Sequence, residues 1–179
     1  MSYDLLYISL MGSSEKAVAN SIYASLKNLV KTDKKNWVLV FAKSKSTPIN
    51  GERIVEILDE YKNTYTKAKW YNAPVDFDEF EIEESDLPKA MEQIINYVKK
   101  TEKNYSDIFV DITPGRKVMS VAATLAAINL CKSSEFNDIK IIYYLLKNVD
   151  EHKDKDAPEL YPDEYKVSSW SVKDISKRI

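Results

Sequence analysis

The apolar positions of the chain fall into two alternating rhythms. Short, nearly continuous apolar runs occur over Asp4–Leu10, Trp37–Phe41, Asp107–Ile112 and Ile139–Leu146. They are too short for helices and read as strands covered on both faces. Between them the spacing lengthens. Residues 18, 22, 26, 29 and 30 are apolar and predict a helix over Glu15–Val30. Ile54, Ile57, Leu58 and Tyr61 predict a second helix that starts near Asn50. Leu87, Met91, Ile94, Ile95 and Val98 predict a third, with Pro88 tolerated in its first turn. A fourth, Lys117–Leu130, carries Ala122, Ala123, Ala126 and Ala127, small residues that permit close packing. Ala68–Tyr71 is the expected third strand. The acidic stretch Val75–Asp86 has a mixed pattern and reads as an edge strand or a loop. A charged loop and a terminal strand, Tyr165–Val172, close the chain.

Alternation of strands with helices argues for an α/β fold. The expectation is a Rossmann-like, doubly wound, mainly parallel sheet with helices on both faces, forming a single domain over residues 1–179. Right-handed crossovers then bring every strand-to-helix turn to one edge of the sheet. That edge is where ligands of such folds bind.

Composition narrows the ligand. The formal net charge is −2, so no global basic field recruits DNA. An anion site has to be built locally. Cys131 is the one cysteine and no internal disulfide can form, which points to a reducing, cytoplasmic setting. It reads as a small buried hydrophobe. The start of the chain lacks a basic leader, and no apolar run reaches the ~18 residues of a membrane span. The one histidine, His152, lies in a charged stretch and reads as a solvated loop residue.

Two turns stand at the expected edge. The first is Met11-Gly12-Ser13-Ser14, with a serine suited to cap the next helix and Glu15 suited to its positive end. The second is Thr113-Pro114-Gly115-Arg116-Lys117. Glycine lets the backbone come close to a ligand, and helix N-termini suit phosphate. Two cations beside a helix start are unfavourable unless an anion compensates, which points Arg116 and Lys117 toward a phosphate. No G-x-G-x-x-G, P-loop, G-x-S-x-G or metal-ligand spacing occurs, so neither a cofactor nor a metal is expected. The acidic run 76–86 reads as solvated surface. Of the pair Tyr143 and Tyr144, one is expected to face the core and the other a helix layer, and a tyrosine that reaches the pocket would stack on or hydrogen-bond a nucleotide.

The residues Asp111-Ile-Thr-Pro-Gly-Arg-Lys-Val-Met-Ser120, with the Gly-Ser turn after the first strand, resemble the CARF domain, the CRISPR-associated Rossmann fold. Its second turn usually reads D-x-T-G-G-T-K-x-M. Asp111, Thr113, Gly115, Lys117 and Met119 match, while Pro114 and Arg116 replace Gly and Thr. The resemblance implies binding of a cyclic oligoadenylate across the two-fold axis of a homodimer. The residues after Leu146 read as a loop and a strand, so no separate effector domain is expected. A standalone chain with an Arg-Lys pair in the second turn and a serine in the first is similar to the small archaeal ring nucleases. This branch implies metal-independent cleavage of cyclic tetra-adenylate, with Ser13, Arg116 and Lys117 catalytic. It further implies ligand contacts from Met11, Gly12, Ser14, Thr113, Pro114, Gly115, Tyr144 and Lys166. Lys173 is a further tail lysine considered for a phosphate. Two other readings stand beside it: a non-catalytic cyclic oligoadenylate sensor, and a general phosphate-ligand-binding α/β protein.

Overall fold

The computed structural model describes residues 2–29, 36–68, 71–101, 104–132, 136 and 139–176. Six strands make one sheet: β1 (Ser2–Leu10), β2 (Trp37–Ser44), β3 (Asp76–Ile82), β4 (Asn104–Asp111), β5 (Ile139–Leu146) and β6 (Tyr165–Ser171). Their order is β3-β2-β1-β4-β5-β6. The first five are parallel, and β6 runs antiparallel to β5. The Rossmann-like architecture expected from the sequence is present.

Period-two alternation splits the core into two layers. Leu5, Tyr7, Trp37, Leu39, Phe41, Phe109 and Ile142 face helices α1 (Glu15–Leu29) and α2 (Gly51–Thr64). Leu6, Ile8, Leu10, Val38, Val40, Ile108, Val110, Ile139 and Ile141 face α3 (Leu87–Lys100), α4 (Lys117–Lys132) and the short α6 (Val172–Ser176). A fifth, one-turn helix, α5 (Val149–His152), lies in the loop between β5 and β6.

Local chemistry sets the helix starts. The Asn50 side chain accepts from the Glu52 N–H, and Asp86 accepts from Lys89 N–H, so both cap free donors of a first turn. Pro88 sits within the first turn of α3. The four alanines of α4 are buried, as their size requires for close approach to sheet and α3.

Two expectations are corrected here. Ala68 belongs to a 3-10 turn, Thr66–Ala68, and Tyr71 to no strand, while residues 69 and 70 lie outside the described residues. Tyr71 is buried because its ring meets Trp37 edge-on at 6.2 Å, not because it joins the sheet. The third strand lies instead in the acidic stretch, as Asp76–Ile82, so of the two readings expected there the edge strand holds. As an edge strand it needs no continuous apolar run; Asp76, Asp78 and Glu81 are exposed, while Glu79 pairs with Lys43 and accepts from the Gly51 N–H. The second correction is His152, which is buried. The turn of α5 brings its Nε2 within 3.4 Å of Glu164 Oε1.

Candidate functional site

The order of strands places β1 and β4 side by side, and the chain leaves them in opposite directions. After β1 it enters α1 on one face. After β4 it enters α4 on the other. This is the topological switch point, where parting helices leave a crevice at the strand ends. The turns Met11–Ser14 and Thr113–Lys117 lie on either side of it.

Both glycines serve contact between protein parts. Neither has a positive φ. A Cβ on Gly12 would collide with the Pro114 carbonyl oxygen and stand 3.2 Å from its carbon. A Cβ on Gly115 would lie 2.9 Å from the Leu10 Cβ. The turns are thus interlocked: Gly12 is seated against the Pro114 carbonyl of the second turn, and Gly115 against Leu10 at the end of β1.

The second turn is fixed from below. Asp111 is 0% exposed. Its Oδ2 accepts from the Tyr7 hydroxyl at 2.9 Å and the Ser21 hydroxyl at 2.6 Å. Its Oδ1 accepts from Thr113 N–H at 3.0 Å. Burial pushes the Asp111 carboxyl above its ordinary range, although Ser21, Thr113 and Tyr7 pull it down. Burial, then the nearby Asp111 charge, pushes the Tyr7 hydroxyl up. The Thr113 hydroxyl accepts from Tyr144 N–H at 2.7 Å, and the Ser120 hydroxyl donates to the Ile112 carbonyl at 3.0 Å. Strands β1, β4 and β5 and helix α1 all meet this turn.

Turn one is held more lightly. Ser14 Oγ accepts from Ala17 N–H at 3.2 Å and caps α1. Ser13 is exposed and, with Ser14, lines a cavity of about 540 Å³ between α1, α2 and the β5–β6 loop. That cavity also presents Lys16, paired with Asp156 at 2.8 Å, and Tyr65, whose hydroxyl donates to Asp156. Burial raises the Asp156 carboxyl, but hydrogen bonds from Lys16, Tyr65 and Tyr61 and the Lys16 charge bring it below its usual range.

Arg116 turns to the other side of the crevice. Its Nη1 donates to Glu84 Oε2 at 2.7 Å and to Ser46 Oγ at 3.1 Å. Burial pushes the Glu84 carboxyl up, but hydrogen bonds from Arg116, Ser44 and Ser46 and the Arg116 charge outweigh it, and the net shift is downward. An anion compensates Arg116, as the sequence led one to expect, but it is supplied by this chain. Lys117 opens α4 and is exposed.

The structure brings Gly12, Ser13, Ser14, Thr113, Pro114, Gly115, Arg116 and Lys117 to one edge. It does not bring Met11 and Tyr144 there through their side chains. Met11 is in the core, and Tyr144 packs against Ala24, Leu160 and Tyr165. Each can offer only backbone. Tyr143 is the exposed one of the pair. Lys166 is exposed at the start of β6, opposite Leu145, two strands from β4. The sequence reading missed the loop after β2. Ser44, Lys45 and Ser46 join Glu83, Glu84, Ser85 and Val118 in a cleft of about 420 Å³ beside Arg116. The signal was the hydroxyl-rich run Ser44–Thr47 at the end of a strand neighbouring β1.

Among solved structures, Enterococcus italicus Csm6 bound to cyclic hexa-2′-fluoro-hexa-dAMP matches with a TM-score of 0.56 at 12% identity. The match covers 99% of this chain and 43% of that one, so the chain spans less than half of its structural relative. At this identity the likeness is one of fold. No curated protein matches the sequence. Among the described residues no helix is long and apolar enough to cross a membrane. The model of the CRISPR-associated protein NE0113 family matches residues 31–169, which hold β2 through most of β6 and the whole second turn. With a Rossmann-like sheet and two interlocked turns at its switch point, the chain belongs to the CRISPR-associated NE0113 family.

Proposed function

We propose that this chain is a ring nuclease: a homodimer that binds cyclic tetra-adenylate over the two turns, cleaves it without a metal and so ends type III CRISPR signalling. The observation that carries the reading is the interlock of the Gly12 and Pro114 backbones. It sets Ser13 on one flank of a crevice and Arg116 and Lys117 on the other. The cyclic oligoadenylate analogue bound by Csm6, which shares this fold, supports the ligand class.

The chemistry asks little of the protein. A ribose 2′-oxygen of the ligand attacks the adjacent phosphorus, the P–O5′ bond breaks, and a 2′,3′-cyclic phosphate forms. The 2′-proton ends on the departing 5′-oxygen. Arg116 and Lys117 stabilise charge on the phosphoryl oxygens, and Ser13 orients the 2′-hydroxyl. Association as a two-fold dimer is supported by α4, which exposes Val118 (39%), Val121 (48%) and Leu125 (40%) on one stripe. These residues adjoin Arg116 and Lys117 in sequence, so a second copy seated there would double the site.

The test is incubation of the pure protein with radiolabelled cyclic tetra-adenylate in EDTA. Linear di-adenylate with a 2′,3′-cyclic phosphate end is the expected product; its absence refutes cleavage. A second reading, binding without turnover, is favoured by one observation: Arg116 is already engaged by Glu84 and Ser46. Tight binding with no product selects it.

A further inference from the structure

We propose that Glu84 sets the net charge of the anion site and thereby makes it select phosphodiesters over terminal phosphate monoesters. The inference rests on the reading of the site given above.

Arg116 and Lys117 place two positive charges at the start of α4, and Glu84 removes one by direct pairing at 2.7 Å. In the adjoining cleft Lys45 stands with Glu83, whose carboxyl is lowered chiefly by hydrogen bonds from Ser85. Lys89 reaches Glu83 at 4.0 Å, and Asp86 is spent on capping α3. Counted together, Arg116, Lys117, Lys45 and Lys89 against Glu84, Glu83 and Asp86 leave about one positive charge facing the crevice. A phosphodiester carries one negative charge. A terminal phosphate carries about −1.5 to −2 at neutral pH.

Geometry allows Glu84 to stay in place when the ligand arrives. Both bonds that Arg116 makes leave from a single nitrogen, Nη1. Nε and Nη2 have no further partner among the described residues and can hold a phosphate while Glu84 and Ser46 keep the guanidinium fixed. The Glu84 side chain is only 23% exposed, so its charge is incompletely screened from a nearby anion. A diester tolerates that neighbour. A dianionic monoester is repelled by it.

Glu84→Gln separates charge from position, because the amide oxygen still accepts from Nη1. Two linear di-adenylates serve as probes, alike except that one ends in a 2′,3′-cyclic phosphate and the other in an open 3′-phosphate. Titration calorimetry at pH 7.5 and low salt reads both affinities. The wild-type chain is expected to bind the cyclic-ended probe roughly three- to tenfold more tightly. In Glu84→Gln the open-ended probe gains roughly three- to tenfold and the preference disappears, with an unchanged melting temperature. Glu84→Ala, which also releases Arg116, gains less. Equal losses for both probes in Glu84→Gln would make Glu84 a support for Arg116 alone and overturn the inference, as would no change in either. Failure of the wild-type chain to bind either dinucleotide also overturns it. Failure to bind cyclic tetra-adenylate as well would overturn the site reading itself.

Discussion

The two turns at the switch point are built from similar residues and held in opposite ways. Turn two is bolted down: Asp111, Thr113, Ser120 and the backbone of Tyr144 tie it to three strands and a helix. Turn one rests on its neighbour through Gly12 and spends one serine on capping α1. The difference follows their cargo. Turn two carries two cations at the positive end of a helix, an arrangement that electrostatics opposes and a rigid frame must enforce. Turn one carries neutral hydroxyls and needs no such frame.

The largest effect expected from breaking this contrast lies at Asp111. Asp111→Ala leaves the Tyr7 and Ser21 hydroxyls and the Thr113 N–H without their buried acceptor. It should cost about 3–5 kcal/mol in urea denaturation. Arg116→Ala should do the reverse, changing stability little because the side chain is half-exposed. Under the ring-nuclease reading it lowers single-turnover cleavage on the order of 10²–10³-fold. Gly12→Ala tests the interlock: the new Cβ must push the Pro114 carbonyl away, costing about 1–3 kcal/mol and weakening ligand binding as well. A finer division runs within turn one. Ser14→Ala should lose about 1 kcal/mol as a missing cap, while Ser13→Ala should melt like the wild-type chain and lose only activity. If Ser13→Ala is also destabilised, the division of labour between the serines is wrong.

The smallest effect is a slope. Burial raises the Asp111 carboxyl above its unfolded value, so the folded chain holds that proton more tightly. Its contribution favours the fold below the unfolded value and is lost as pH rises through the folded one. Asp111→Asn removes this dependence. Melting temperatures taken from pH 4 to pH 7 should therefore fall less steeply with pH in the variant than in the wild-type chain.

Much of this frame was legible in the chain. Four buried strands and four helices announced themselves because burial on both faces leaves nothing but apolar residues in a strand, and burial on one face leaves a helical stripe. The edge strand β3 was legible only as one of two alternatives, edge strand or loop, because Asp76–Ile82 buries so little that its apolar rhythm is faint. His152 misled for the opposite reason. Its neighbours are charged, yet a single helical turn rotates it inward. At the site, the glycines and the Arg-Lys pair marked the right turns. What they could not convey was partnership. Glu84 lies 32 positions before Arg116, and Ser46 lies 70 before it, so their meeting follows from strand order alone.

Strand β3 also has something to say about how copies of this chain meet. Its exposed positions include Asp76, Asp78 and Glu81, placed along a strand with one side unpaired in the sheet, while Glu79 is turned to Lys43 and the Gly51 N–H. Two such edges brought together would set carboxylate against carboxylate, so this border resists growth of the sheet by strand addition. Edge-on stacking through β3 is thereby disfavoured. At this border charge, not a further strand, ends the sheet.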